Sequence, residues 1–282
     1  MQSVSTAAHV SAAVLFAGAA FLAAGLAGAP AIAQEQPGTF IGDVPYVATP
    51  QDVVESMLNL ARIGPGDYVI DLGSGDGRLV IGAAKRGAEG FGVDLDPKRI
   101  AESNENAKKA GVESKAQFFQ RDLFETDFSR ATALTMYLLP EINIKLRPKI
   151  LALKPGTRVV SHDFDMGDWV PDERLRMRSA ITHYDSNAYL WIVPANAAGQ
   201  WRGDGPTPLV FSVSQEFQVI KLAADGLAVS GAKLAGDRIS FQAAAPGLTA
   251  KTYEGRIEGD AINGIMRDAA GEFPWSARRT AK

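Results

Sequence analysis

The stretch DLGSGDG, Asp71 to Gly77, follows the apolar residues Tyr68, Val69 and Ile70 and precedes the helix-like run Arg78 to Lys85. It reads as a strand, a glycine turn and a helix. A chain that turns sharply off a strand and lets a ligand touch its backbone needs positions without a Cβ, and Gly73, Gly75 and Gly77 supply them. A helix beginning near Gly77 offers unpaired N–H groups and a positive dipole end to a carboxylate or a phosphate. The dinucleotide fingerprint G-x-G-x-x-G is not completed, because Arg78 stands three residues after Gly75. A P-loop is poorly supported too, since no G-x-x-x-x-G-K-S/T occurs in the chain.

Two further acids extend the pattern. The apolar run Gly90 to Val93 ends in Asp94, at the spacing of the next strand of a β-α-β unit, where a carboxylate can accept both hydroxyls of a ribose. Asp122 closes the run Ala116 to Arg121 in the same way. Singly, each aspartate is equally a turn former or a helix cap. Their order and spacing along successive strands point to one nucleoside-like ligand.

Composition bounds the function. The chain has 282 residues, 46% hydrophobic and 22% charged, enough for one large domain or two small ones. A net charge of −3 without a basic run argues against nucleic acid as a partner. The absence of cysteine excludes disulfides, thiolate metal sites and thiol catalysis, and His162 and His183 beyond the leader are too few to suggest a metal centre.

Residues 1–33 read as a signal peptide. Ser11 to Ala33 is rich in Ala, Gly, Leu, Val and Phe and ends in the A-x-A sequence Ala31, Ile32, Ala33, so cleavage before Gln34 and export to the periplasm or medium are expected. No Lys or Arg precedes Arg62, which departs from the usual basic start. The alternative is an uncleaved anchor, barely long enough to span a bilayer, and any membrane association would run through this leader alone.

From residue 34 to 194 the chain alternates strand-like and helix-like units. Thr49, Pro50 and Asp52 read as a helix start with a hydroxyl cap, followed by Val53, Val54, Met57, Leu58 and Ala61 on one face. Strands around Phe91, Phe118, Ala133 to Leu139 and Arg158 to His162 alternate with helices over Arg78 to Arg86, Pro97 to Ala110 and Glu141 to Leu153, which predicts a doubly wound, mostly parallel Rossmann-like α/β sheet. Ile181 to Tyr184 and Ala188 to Val193 are expected to close it as a hairpin. Residues 195–208, rich in Gly, Pro and Ala, read as a linker. Beyond it, 209–282 alternates with period two between turns such as Gly236-Asp237 and Gly259-Asp260, an antiparallel β-meander of about five or six strands or a partial barrel.

The glycine loop resembles the first motif of class I, seven-strand S-adenosylmethionine-dependent methyltransferases. VPYVATP (Val44 to Pro50), YLLPEINIKLRP (Tyr137 to Pro148) and SHDFDMGDW (Ser161 to Trp169) resemble the lysine methyltransferases related to those acting on the ATP synthase c-subunit. That resemblance implies S-adenosyl-L-methionine as cofactor, with Tyr46 and Thr49 bordering its pocket. Asp71, Gly73 and Gly75 would then hold the methionine part, Asp94 the ribose and Asp122 the adenine. The acceptor implied is an amine of a protein lysine, or of a small molecule. A lysine amine, with an ordinary pKa near 10.4, must lose its proton before attack. Tyr137, Glu141, His162 and Asp163 follow the fourth and fifth strands, where an open α/β sheet presents its site, and are the candidate catalytic groups. Each has a plainer role open to it: Tyr137 as packing, Glu141 as a helix-start acid, His162 as a bonded core residue, Asp163 as a turn former. A non-catalytic nucleoside-binding protein and a nicotinamide oxidoreductase are the alternative functions.

Overall fold

A computed structural model describes residues 46–204 and 209–281, all within one compact unit. The expected leader, Val44 and Pro45 lie outside the described residues. In chain order the first half carries α1 (Gln51–Leu60), β1 (Tyr68–Leu72), α2 (Arg78–Lys85), β2 (Glu89–Asp94), α3 (Pro97–Lys109), β3 (Ala116–Gln120), β4 (Ala133–Met136), α4 (Pro140–Leu151), β5 (Arg158–His162), β6 (Glu173–Arg178) and β7 (Asp185–Ile192). Its seven strands are ordered β3-β2-β1-β4-β5-β7-β6, all parallel as far as β5, with β7 antiparallel to both neighbours.

The parallel centre explains the unbroken apolar runs. With both faces covered, β1 and β4 bury nearly every residue, and Ile70, Leu72, Leu134 and Met136 are at 0% exposure. α1 buries Val53, Val54, Met57 and Leu58, each contributing about 1.5–3 kcal/mol relative to exposure. Strand order reverses between β1 and β4. In open α/β sheets the ligand crevice lies outside the carboxyl ends of the strands at such a switch point.

Two local expectations do not hold. Thr49 does not cap α1: Pro50 is the extended N-cap residue, and the Thr49 hydroxyl pairs with His162 instead. Ile181 to Tyr184 is not a strand, because β6 lies earlier, over ERLRMR, and 179–184 forms the turn into β7. The β6 sequence hid because it is an exposed edge strand whose arginines blur the apolar alternation.

The second half is an eight-stranded antiparallel sheet: β8 (Gly199–Asp204), β9 (Leu209–Glu216), β10 (Val219–Ala223), β11 (Ala228–Ala235), β12 (Arg238–Ala244), β13 (Lys251–Glu258), β14 (Ala261–Asp268) and β15 (Gly271–Ala281). Apart from β10 and β11, each strand pairs with its chain neighbour; β15 returns to pair with β8, and β10 and β11 are the two edges, joined by a tight turn bridged from Ala224 to Leu227, so the expected meander has eight strands rather than five or six and folds as a partial barrel. Residues 195–208 are accordingly not a bare linker. They contain β8, and Ala195, Ala197 and Trp201 are buried in the barrel core. The interior is filled by aromatic rings, with centroids 5.0 Å apart for Phe241 and Tyr253 and 5.2 Å for Tyr253 and Trp275. The Trp275 indole sits among backbones that lack side chains: a Cβ at Gly203 would come within 2.9 Å of it and one at Gly255 within 3.3 Å.

Candidate functional site

The DLGSGDG loop leaves β1 and is tied at once to β2. The N–H groups of Gly73 and Ser74 both donate to the Val93 carbonyl, at 2.9 and 2.8 Å. Gly75 N–H donates to Asp94 Oδ2 and Asp96 N–H to Asp94 Oδ1, each at 2.9 Å. Asp94 therefore fixes the loop while each of its oxygens keeps a further lone pair. Gly75 and Gly77 have φ of +51° and +83°, the left-handed region that glycine adopts without strain. A Cβ on Gly75 would lie 2.4 Å from Cε2 of Tyr46, whose ring therefore covers the loop directly. The Arg99 guanidinium stacks on that ring at 4.4 Å, and Arg78 bonds both Asp76 and the Thr49 carbonyl, strapping residues 46–49 across the loop.

Asp71 is 2% exposed and accepts a hydrogen bond of 2.7 Å from the Thr135 hydroxyl of β4. Burial pushes its carboxyl up to about 7, and Asp94 and Asp76 push the same way. An acid whose folded value is raised stabilises the fold fully below its unfolded value and loses that contribution as pH rises through the folded one. Stability of the ligand-free chain is thus expected to fall between about pH 4 and 7 by a few kcal/mol on account of Asp71. Asp71→Asn, which retains an acceptor for Thr135, removes that slope in thermal melts taken across the range, and an unchanged slope would refute the cause.

At the ends of β4 and β5 lies an aromatic cluster. The Tyr137 ring is 4.0 Å from the His162 imidazole and stacks on Phe164 at 6.0 Å. His162 is 2% exposed, with Nδ1 3.1 Å from Thr49 Oγ1. Its Nε2 lies 3.4 Å from Asp163 Oδ2, an electrostatic approach without hydrogen-bond geometry, so that nitrogen is buried and unpartnered. Burial lowers the imidazole's pKa against the opposing pull of Asp163 and keeps the ring neutral at pH 7; burial likewise raises the Tyr137 phenol. Asp163 holds a left-handed φ of +57° and exchanges two bonds with Asn187, N–H to carbonyl at 2.8 Å and Asn187 N–H to Oδ1 at 2.7 Å.

The predicted residues thus follow the strand order along one edge: Asp122 beyond β3, Asp94 on β2, Asp71 on β1 with the glycines just beyond it, Tyr137 beyond β4, His162 on β5. Two stand apart from the cluster. Glu141 is exposed in the first turn of α4, and Asp122 is exposed and bonds the Phe124 N–H at 2.8 Å as a turn former. Sequence reasoning missed Thr135, Arg78 and Arg99. The signal for Thr135 was a lone polar residue in the otherwise apolar ALTM strand.

The site fits a cofactor with an adenosine and an amino-acid end. Glycine backbone lines its middle, a doubly anchored carboxylate flanks it, and a buried acid with no cationic partner among the described residues lies beside the loop. Among the described residues no cluster of His, Asp or Glu suits a metal. Residues 71–173 match the ANTKMT methyltransferase domain. A protein-lysine N-methyltransferase of Saccharolobus islandicus is 40% identical over 158 residues, covering 55% of this chain and 97% of that protein. The chain belongs to the class I S-adenosylmethionine-dependent methyltransferases. The ATP synthase c-subunit lysine N-methyltransferase of Xenopus laevis is 35% identical over 130 residues, 46% of this methyltransferase and 57% of the relative, so the match spans little more than half of that protein. A crystal structure described as an RNA methyltransferase from Salinibacter ruber with S-adenosyl-L-homocysteine has 48% identity and a TM-score of 0.50, over 53% of this chain and 95% of that one. The methyltransferase uses S-adenosyl-L-methionine as its cofactor, and the expected seven-strand sheet followed by an antiparallel β domain is the observed fold.

Proposed function

We propose that the enzyme methylates the ε-amine of a lysine in a protein acceptor, with the amine entering between the ends of β4 and β5. The observation that carries this reading is the buried His162 packed against Tyr137 at the carboxyl ends of β5 and β4, beside the switch point between β1 and β4. S-adenosyl-L-methionine supplies a methyl group already activated on a sulfonium. The chain's own residues bind, orient and dry the site. In this reading Asp94 accepts the ribose hydroxyls and Asp122 the adenine amine, while Asp71 with Gly73 and Gly75 holds the methionine end under Tyr46 and Thr49. Tyr137 and His162 form an aromatic, desolvated wall that favours the neutral over the charged amine, Thr49 orients the imidazole through Nδ1, and Asp163 lies beside Nε2. Glu141 stands at the rim, where it meets the cationic side chain as it arrives.

The lysine acceptor is supported by the names of the Saccharolobus and Xenopus relatives, and a net charge of −3 disfavours an RNA acceptor. Tritiated S-adenosylmethionine incubated with the enzyme and a cell extract tests it. Label that survives ribonuclease, is lost to protease and co-elutes with methyl-lysine is the expected result; ribonuclease-sensitive label would transfer the acceptor to RNA. The apolar leader supports export of the chain from Gln34 onward, with the cofactor supplied from the cytoplasm. Recovery of full-length chain only in the cytoplasmic fraction would contradict it.

A further inference from the structure

The connection from β5 to β6 runs over residues 163–172 and contains no helix, although these strands are parallel and such crossovers ordinarily carry one. Met166 and Trp169, both at 0% exposure, fill that layer instead. The loop begins at the candidate catalytic group Asp163. α4 holds its first part: Asn143 Nδ2 donates to the carbonyls of Phe164 and Asp165, at 3.3 and 3.1 Å, and Arg147 to that of Met166 at 2.7 Å. Its last part is held by the barrel. Trp169 Nε1 donates to Gln218 Oε1 at 2.9 Å, Gln218 Nε2 donates to the Val170 carbonyl at 2.7 Å, and the Phe217 ring stacks on Trp169 at 5.8 Å with 16° between planes.

Phe217 and Gln218 are the two turn residues of the β9–β10 hairpin. Such turns favour Asn-Gly or Asp-Gly, and the β11–β12 and β13–β14 turns of this barrel have Gly236-Asp237 and Gly259-Asp260. Phe217 instead takes a φ of +51°, a left-handed conformation that a bulky side chain adopts only when its surroundings impose it. The turn gives up favourable local chemistry, and both its side chains are spent on Trp169 and Val170.

We propose that the barrel is a positioning module for methyl transfer, in which Phe217 and Gln218 grip Trp169 and so fix the loop that sets Asp163 and Phe164 beside His162 and Tyr137. The inference rests on the functional reading above. It is tested in the full chain with Gln218→Ala, with Phe217→Asn, which keeps a left-handed turn but removes the ring, and with Gln218→Glu, which keeps the acceptor for Trp169 Nε1. The readout is the imidazole NMR signal and titration of His162, which lies against the Tyr137 ring, with His183 as internal control. The positioning role predicts that Gln218→Ala and Phe217→Asn both move the His162 signal and its midpoint, that Gln218→Glu restores most of the wild-type position, and that His183 stays put. It also predicts affinity for S-adenosylhomocysteine within about twofold of wild type, since the glycine loop is untouched, and methyl transfer slowed about tenfold through misplacement of the loop. A His162 signal unmoved by either variant overturns the inference. Failure of the wild type to bind S-adenosylhomocysteine would instead overturn the functional reading, and the two results are separate.

Discussion

Asp94→Ala is expected to weaken S-adenosylhomocysteine binding by about 100-fold or more, roughly 3 kcal/mol, with the fold retained. The carboxylate sits on the carboxyl end of β2 with one backbone bond to each oxygen, from Gly75 and Asp96. Its remaining lone pairs suit two hydroxyls that donate to a charged acceptor, the stronger class of hydrogen bond. The substitution removes those bonds and also frees the glycine loop from β2 at Gly75. Asp94→Asn keeps one acceptor oxygen and is expected to fall between. Calorimetric titration of the three proteins checks the order, and an Asp94→Ala chain with wild-type affinity would end the assignment of this residue to the ribose.

Gly77→Ala is expected to cost about 2–5 kcal/mol of stability, roughly 5–15 °C in melting temperature, although it adds one methyl group. The new Cβ would lie 2.6 Å from Cζ of Phe118 on β3 and 2.8 Å from Cβ of Ser103 on α3, at a φ of +83°. The α2 start has no room to move, since both neighbours belong to the packed sheet and helix layers. Gly111→Ala is the control: its φ is +67°, nothing lies within 4 Å of its Cβ, and only the backbone term of about 1–2 kcal/mol applies. Equal melting shifts in the two variants would show that crowding at Gly77 is not the cause.

Legibility in the sequence followed the physics of each half. The glycine loop and the three aspartates could be read because a parallel strand buried on both faces makes a continuous apolar run, and each run ends in a polar residue at the site edge. The barrel was under-counted because its strands are rich in small residues. β11, AVSGAKLA, and β8, GQWRGD, lack the β-branched runs that mark a strand, and the pairing of β8 with both β9 and β15 is what shows that 199–204 belongs to the sheet. Contacts between distant segments were beyond reach altogether. Thr49 looked like a helix cap because a hydroxyl before Pro50 has that local use, and its partner His162 lies 113 residues on. Asp52 looked like a first-turn acid, yet its carboxylate also accepts from Ser179 Oγ at 3.0 Å and Ala180 N–H at 2.6 Å, pinning the β6–β7 turn to α1. Phe217 and Gln218 read as ordinary residues of a period-two run; only the turn geometry and the Trp169 contact give them a function.

Which stretches of backbone meet the cofactor decides the whole assignment, and backbone amide NMR of the chain from Gln34 onward, titrated with S-adenosylhomocysteine, measures that directly. The largest shifts are predicted at Gly73 to Gly77, Asp94 to Asp96 and Asp122, with smaller ones at Tyr137 and His162 and none in β11 to β14. Shifts confined to the barrel, or none at saturating ligand, would contradict the assignment of the cofactor site to the carboxyl edge of the sheet.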